Sequence, residues 1–260
     1  MLTIAKSGLN AAMHELKVVS NNVANASSTG FKASRSNFAD IYAVASDARP
    51  QIDMGYGTRI MESQRSHIQG SLIETGGALD IAISGEGMFA VRRPETPEDL
   101  QFTRNGAIEM TLDGKLVSGD GHEFLSTNLE PITIPFSVED ANGRFRRLSQ
   151  ITVENDGMVK ASYGQGVDFN LAKLGMGLFP DESKLAADGS NYFRASPGSG
   201  APEIVAPLGV RSGVLEPGFL EAANVDITSE LNLMIRAQHA FSGASRLMQS
   251  EVEIVRKFTG

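Results

Sequence analysis

Leu2-Thr3-Ile4-Ala5-Lys6-Ser7-Gly8-Leu9-Asn10-Ala11-Ala12-Met13-His14-Glu15-Leu16-Lys17-Val18-Val19-Ser20-Asn21-Asn22-Val23 opens the chain. Within it Leu2, Ala5, Leu9, Ala12, Leu16, Val19 and Val23 recur at alternating steps of three and four, the a/d period of a coiled-coil seam. Lys6, Asn10, His14, Lys17 and Asn21 fall on the other side. The stretch is predicted to be an amphipathic helix with one narrow apolar stripe, which it cannot bury alone. Asn25-Ala26-Ser27-Ser28-Thr29-Gly30 ends it, because these residue types favour caps and turns.

The other end of the chain offers a matching stripe. Ile227, Leu231, Met234, Gln238, Phe241, Ser245, Met248, Val252 and Val255 repeat the same alternation, with Asp226 placed as an N-cap before them. Gln238 and Ser245 are polar on that seam, a device that can set register or oligomer state at some cost in stability. The two ends are therefore expected to pair as a coiled-coil-like helical domain, residues 1–25 with 222–260.

Between them the pattern changes. Residues 26–71 show no sustained period and read as a connector, with Phe31, Phe38, Ile41 and Tyr42 as apolar anchors and Pro50, Gly55 and Gly57 as breakers. From residue 72 to 215, short alternating runs are divided by turn residues. Asp113-Gly114 separates Ile108–Leu112 from Lys115–Val117, and Asn155-Asp156-Gly157 separates Ile151–Val153 from Met158–Lys160. Residues 72–215 are thus an expected all-β domain, and 216–221 a return linker. The fold class expected is α+β: terminal helices pairing as a coiled-coil-like domain, with a β domain inserted between them.

Composition narrows the chemistry. The net charge of −8 and the absence of any long Lys/Arg cluster argue against binding nucleic acid through phosphates. No cysteine is present, which removes thiolate nucleophiles, disulfides and Cys-based zinc sites. No run is long and apolar enough to insert in a membrane, and the N-terminus lacks the pattern of a cleaved secretory signal. Gly85-Glu86-Gly87-Met88-Phe89-Ala90 imitates a dinucleotide fingerprint, but Pro94 and Pro97 follow where its helix must start, so the glycines read as turn formers. His14, His67, His122 and His239 lack metal-ligand spacing and read as surface or packing residues. Gly198-Ser199-Gly200 lacks a nucleophile elbow. The expectation is no enzyme, no cofactor and no metal.

Several motifs, taken in order, resemble one family. Ser7-Gly8-Leu9-Asn10-Ala11-Ala12, Ser20-Asn21-Asn22-Val23-Ala24-Asn25 and Thr29-Gly30-Phe31-Lys32 resemble the N-terminal signature of bacterial flagellar axial proteins, the rod and hook subunits. Leu79 to Phe89 is similar to the family's L-D-x-A-I-x-G-x-G-F-F segment, and Phe102-Thr103-Arg104-Asn105-Gly106 to its aromatic-T-R-N/D-G turn. Near the end, Gly213-Val214-Leu215-Glu216 and Ala223-Asn224-Val225-Asp226 resemble G-x-L-E-x-S-N-V, divided here by Pro217-Gly218-Phe219-Leu220-Glu221, so that Glu216 or Glu221 is its acidic residue. Met234-Ile235-Arg236-Ala237-Gln238 with Phe241 resembles M-I-x-A-Q-R-A-aromatic, with His239 in place of Arg.

The resemblance implies a rod subunit that polymerises into a tubular axle transmitting torque. Its partners would be copies of itself and other axial proteins of rod and hook, together with the export apparatus and the rings around the rod. It would reside in the periplasmic rod of the flagellar basal body, exported without a cleaved signal peptide. A hook-type subunit is the alternative, though the chain is short for the outer domain that hook subunits carry. A stalked oligomeric binding module is the alternative from another class. The stripe residues of both ends are the candidate assembly interface.

Overall fold

The computed structural model describes residues 2–42, 55–139, 144–164 and 168–259. Among them are two long helices, α1 (Leu2–Ala24) and α2 (Ile227–Thr259), one 3₁₀ turn (Glu182–Lys184) and 21 strands. Contacts divide the chain into two units. One holds Met1–Ala26, Ala33–Ser66 and Val225–Gly260, the other Ser27–Lys32 and His67–Asn224.

In the second unit the strands form two principal antiparallel sheets. The larger, nine-stranded sheet runs Ala186–Gly189, Tyr192–Arg194, Thr96–Thr103, Met88–Arg93, Glu123–Phe124, Leu116–Ser118, Ile108–Met110, with Met176–Leu178 and Glu203–Val205 branching from Met88–Arg93. The smaller is Ser137–Glu139, Phe145–Val153, Met158–Tyr163, Asp168–Lys173. Both hairpin turns expected from the sequence are present: Leu116 lies opposite Met110 across Asp113-Gly114, and Val153 opposite Val159 across Asn155-Asp156-Gly157.

Met88–Arg93 shows why the body is layered. Successive strand residues point to opposite faces, and here both faces are covered. Phe89 and Val91 join a core with Ile81, Leu116, Phe124, Val159 and Tyr163, while Met88 and Ala90 join a second with Phe102, Leu125, Phe179 and Phe193. A strand buried on both sides needs an unbroken apolar run, which is what Met88-Phe89-Ala90-Val91 supplies. Tyr163, fully buried in the first core, donates its hydroxyl to the Pro135 carbonyl at 2.6 Å, so its one polar atom is satisfied.

The first unit departs from the expected helical domain. Besides the helices it contains the strand pair Ser34–Arg35 with Gln64–Arg65 and the hairpin Phe38–Tyr42 with Gly55–Ile60. α1 lies against α2 and also against the strand Gly55–Ile60. Ser7, off the stripe, accepts from the Thr58 amide of that strand at 3.2 Å, so α1 is held by a hairpin as well as a helix, and the helices do not form the self-contained coiled-coil-like domain that the period suggests. Within the single chain the α2 seam is covered only in part, at Met234, Phe241, Ser245 and Met248, which are half-buried. Ile227 is 49% exposed, Leu231 45%, Val252 54% and Val255 55%, and Gln238 is exposed. The residues of α2 most withdrawn from solvent are Glu230, Leu233, Met234, Ala237, Phe241, Ala244, Ser245, Met248 and Glu251. Small residues at Ala237 and Ala244 let a neighbour approach closely where larger a/d residues would hold it away. The fold class is corrected accordingly: a chain dominated by strands, with one helix at each end and strands in both units.

The connector span 26–71 contributes to both units, and Pro50 lies outside the described residues. The span 216–221 is paired strand: Val214–Pro217 with Ile81–Ser84, and Phe219–Glu221 with Leu72–Glu74.

Candidate functional site

Among the described residues no group of His, Asp and Glu is placed to hold a metal ion; two features stand out, the faces of the terminal helices and a buried charge cluster where the chain leaves the β body.

On α1, Ala12 and Val19 are buried, Ala5, Leu9, Leu16 and Val23 are half-buried, and Ile4 and Met13 are exposed. The Leu2 side chain lies outside the described residues. On α2, Ala237 is buried and Met234, Phe241 and Met248 are half-buried, whereas Ile235, Ile254 and Phe258 join the exposed seam residues. Large apolar side chains thus line much of a 33-residue helix without cover, a surface of the sort that marks an interaction face. The N-terminus of α2 is capped as its sequence predicts. Asp226 Oδ1 accepts from the Thr228 amide at 3.1 Å and Oδ2 from the Ser229 hydroxyl at 2.6 Å. These bonds, the hydroxyl's first, hold the Asp226 carboxyl below its ordinary value.

A polar pin joins the two helices within their unit. Asn22, 1% exposed, donates from Nδ2 to the Ser34 carbonyl at 2.8 Å and to Glu230 at 3.2 Å, and its Oδ1 accepts from the Ser34 amide at 2.9 Å. One side-chain amide thereby pairs with a strand as a backbone group would, and reaches α2 as well. The periodicity of α1 gave no sign of this, since Asn22 falls off the apolar stripe.

In the β body three residues distant in sequence meet. Lys32 Nζ lies 2.6 Å from Glu221 Oε1, both side chains fully buried. Arg104 Nη1 lies 3.2 Å from Glu221 Oε2, with its side chain 3% exposed. The Gly70 amide donates to Glu221 Oε1 at 2.9 Å, Lys32 also donates to the Ile68 carbonyl at 2.9 Å, and Arg104 Nη2 to the Gly85 carbonyl at 2.9 Å. Burial, against the pull of Glu221, lowers the Lys32 pKa. Removal of any charge from water is costly, so such a cluster persists only where most of its donors and acceptors are satisfied. Glu221, not Glu216, is the acidic residue around which the divided motif is built.

Gly30 brings the parts within reach. Its φ is +67°, and a Cβ there would stand 2.6 Å from the Asn105 nitrogen and 2.7 Å from the Arg104 carbonyl carbon. Its amide donates to the Glu221 carbonyl at 2.8 Å. Only glycine meets both demands, a left-handed backbone and direct contact with another segment. The motif residues Gly30, Lys32, Arg104 and Glu221, met in the sequence as separate signatures, are one structure.

The histidines take packing or surface positions. His14 pairs with Ser63 at 2.9 Å, His67 sits edge-on to Phe193, His122 stacks on Tyr192, and His239 is exposed. Gly85 and Gly87 lie in the turn between Ile81–Ser84 and Met88–Arg93, and the chain continues as strand where a dinucleotide site needs a helix.

Family models match three segments: a flagella basal body rod protein model over residues 2–32, a flagellar hook protein FlgE/F/G D1 domain over 82–161, and a flagellar basal body rod FlgEFG protein C-terminal model over 216–257. The flagellar basal-body rod protein FlgG of Agrobacterium fabrum is 32% identical across 97% of this chain and 95% of its own length. The chain belongs to the flagellar basal-body rod protein family. FlgG of Bacillus subtilis is 29% identical over 96% of this chain and 94% of its own, and the rod protein FlgF of Caulobacter vibrioides 30% over 93% and 89%. The three rod-family segments each contribute one member of the charge cluster: Lys32 from the first, Arg104 from the second, Glu221 from the third. As a rod-family chain this is a structural subunit of the flagellar basal body, which assembles with other axial proteins.

Proposed function

We propose that this chain is a FlgG-type rod subunit whose terminal helices carry the assembly face, polymerising into a tubular, torque-transmitting axle in the periplasm. The observation that carries this reading is the uncovered apolar surface of α2, with Ile227, Leu231, Ile235, Val252 and Val255 all exposed in the single chain. Repeated along a helical assembly, each such contact removes apolar area from water at about 25 cal/mol per Å2. Heterologous contacts of this kind propagate where they do not close into a ring. The near full-length match to FlgG relatives favours rod over hook. The subunit acts without catalysis, and on its route it meets the export apparatus and the rings around the rod.

Leu16, half-buried on α1, provides the test. Leu16→Asp should abolish motility and rod completion while the purified chain keeps the circular dichroism of a folded β body. A normal rod built from Leu16→Asp subunits overturns the assembly face. Electron cryo-tomography of cells lacking the chain then fixes its station. A break within the rod supports the reading, a complete rod without a hook makes it a hook-type subunit, and intact flagella overturn both.

A further inference from the structure

We propose that Glu221 is an electrostatic latch: the β body closes only when this carboxylate enters the site formed by Lys32 and Arg104. The inference goes beyond rod assembly and does not depend on it. Two cations and one carboxylate share a site in which all three side chains are buried, at 0%, 3% and 0% exposure. The three are not equivalent. Loss of Lys32 would leave a neutral Arg104–Glu221 pair. Loss of Glu221 would leave two like charges facing each other out of water, the more damaging arrangement because breaking a buried pair strands an uncompensated charge.

Among the described residues no other carboxylate forms an ion pair with Lys32 or Arg104. Glu182 is near enough to interact with both cations but pairs directly with neither, so it acts on them only from a distance. Arg104 Nε is buried with no hydrogen-bond partner, so the guanidinium is held through Nη1 and Nη2, to Glu221 and the Gly85 carbonyl. Of the two carbonyls that Lys32 reaches, His67 at 3.5 Å and Ile68 at 2.9 Å, the nearer is also bonded by Asn224 Nδ2 at 2.8 Å, so removing the lysine does not orphan it.

Order along the chain makes the latch a device. Glu221 lies 189 residues after Lys32 and 117 after Arg104. A chain released from its N-terminus therefore presents both cations well before the group that neutralises them. Until then their burial is opposed, and the body stays open. The strands Val214–Pro217 and Phe219–Glu221 arrive at the same stage, so the charge must be separated from the strands experimentally.

Full-length variants do this. In Glu221→Gln every strand is present and only the charge is missing. Its urea midpoint, followed by near-ultraviolet circular dichroism of the body, should fall by about 1–2 M or the body should fail to close. Lys32→Met should stay within about 0.5 M of the parent, and Lys32→Met combined with Glu221→Gln should recover stability relative to Glu221→Gln alone. The latch is overturned if Glu221→Gln matches the parent, if Lys32→Met is as damaging as Glu221→Gln, or if the double variant is no better than Glu221→Gln. Where Glu221→Gln does not fold at all, the folding of Lys32→Met and of the double variant decides the matter.

Discussion

Gly30 is the residue on which the convergence of segments turns. A methyl group there would collide with backbone atoms, which cannot rotate aside, and would sit on a left-handed residue. Gly30→Ala is therefore expected to destabilise the β body by at least about 2 kcal/mol, well above the small effect of a glycine change in open space. Urea unfolding with an unchanged slope and a lowered midpoint would confirm it, and an unchanged midpoint would contradict it. His122 makes a second residue-level case. It is 7% exposed, stacked at 3.9 Å on Tyr192, and accepts from Arg93 Nε at 3.2 Å. Burial first, then Arg93, push its pKa below 6.5, with Asp120 and Asp188 opposing. The folded state favours neutral His122, so its contribution is fully present above pH 6.5 and is lost as pH falls from there through the lowered folded value. His122→Phe keeps the stack and removes the titration. The slope of stability against pH just below 6.5 should flatten in that variant, and a parent-like slope would reassign the effect to another group.

At the scale of elements, α2 is the instructive case. Asp226 was legible as its cap from residue type and position alone, because capping chemistry is local. Asp226→Ala should speed amide exchange at Thr228, Ser229 and Glu230 while leaving the β body unaffected, and unchanged exchange there would remove the cap from the account. The carboxyl's lowered pKa keeps the cap intact above pH 3.8, and its contribution fades as pH falls through the lowered folded value. The buried line of the helix was not legible in the same way. A three-four repeat identifies a helix, but a one-position rotation exchanges Leu231 for Glu230 and Gln238 for Ala237, and hydrophobicity alone does not tell which of the two lines is covered within the single chain. Close approach selects small residues, and Glu230 is inward because Asn22 meets it. In the β body the hairpins were readable because Asp113-Gly114 and Asp156-Gly157 specify turns locally. The strands of residues 34–65 were not, since Ser34–Arg35 and Gln64–Arg65 are two residues each and are defined by their pairing.

For the whole molecule, the charge cluster was spelled out in three signatures but not as a contact, because sequence order gives no hint that residues 32, 104 and 221 share a site. Its location is informative. Lys32 is the last residue of its segment in the β body, His67 the first of the next and Asn224 the final one before α2. The cluster and its neighbours Ile68, Gly70 and Asn224 therefore bind the chain at its points of departure from the body. A fully buried amine also gives the molecule a chemical reporter of its own. Among its described lysines Lys32 alone is wholly enclosed. An amine-acylating reagent applied to the folded chain should mark the others and spare this one. Acylation at Lys32, read by mass spectrometry, would then count the fraction of molecules whose β body is open, in a dilute solution or in a finished rod alike, with no label added beforehand.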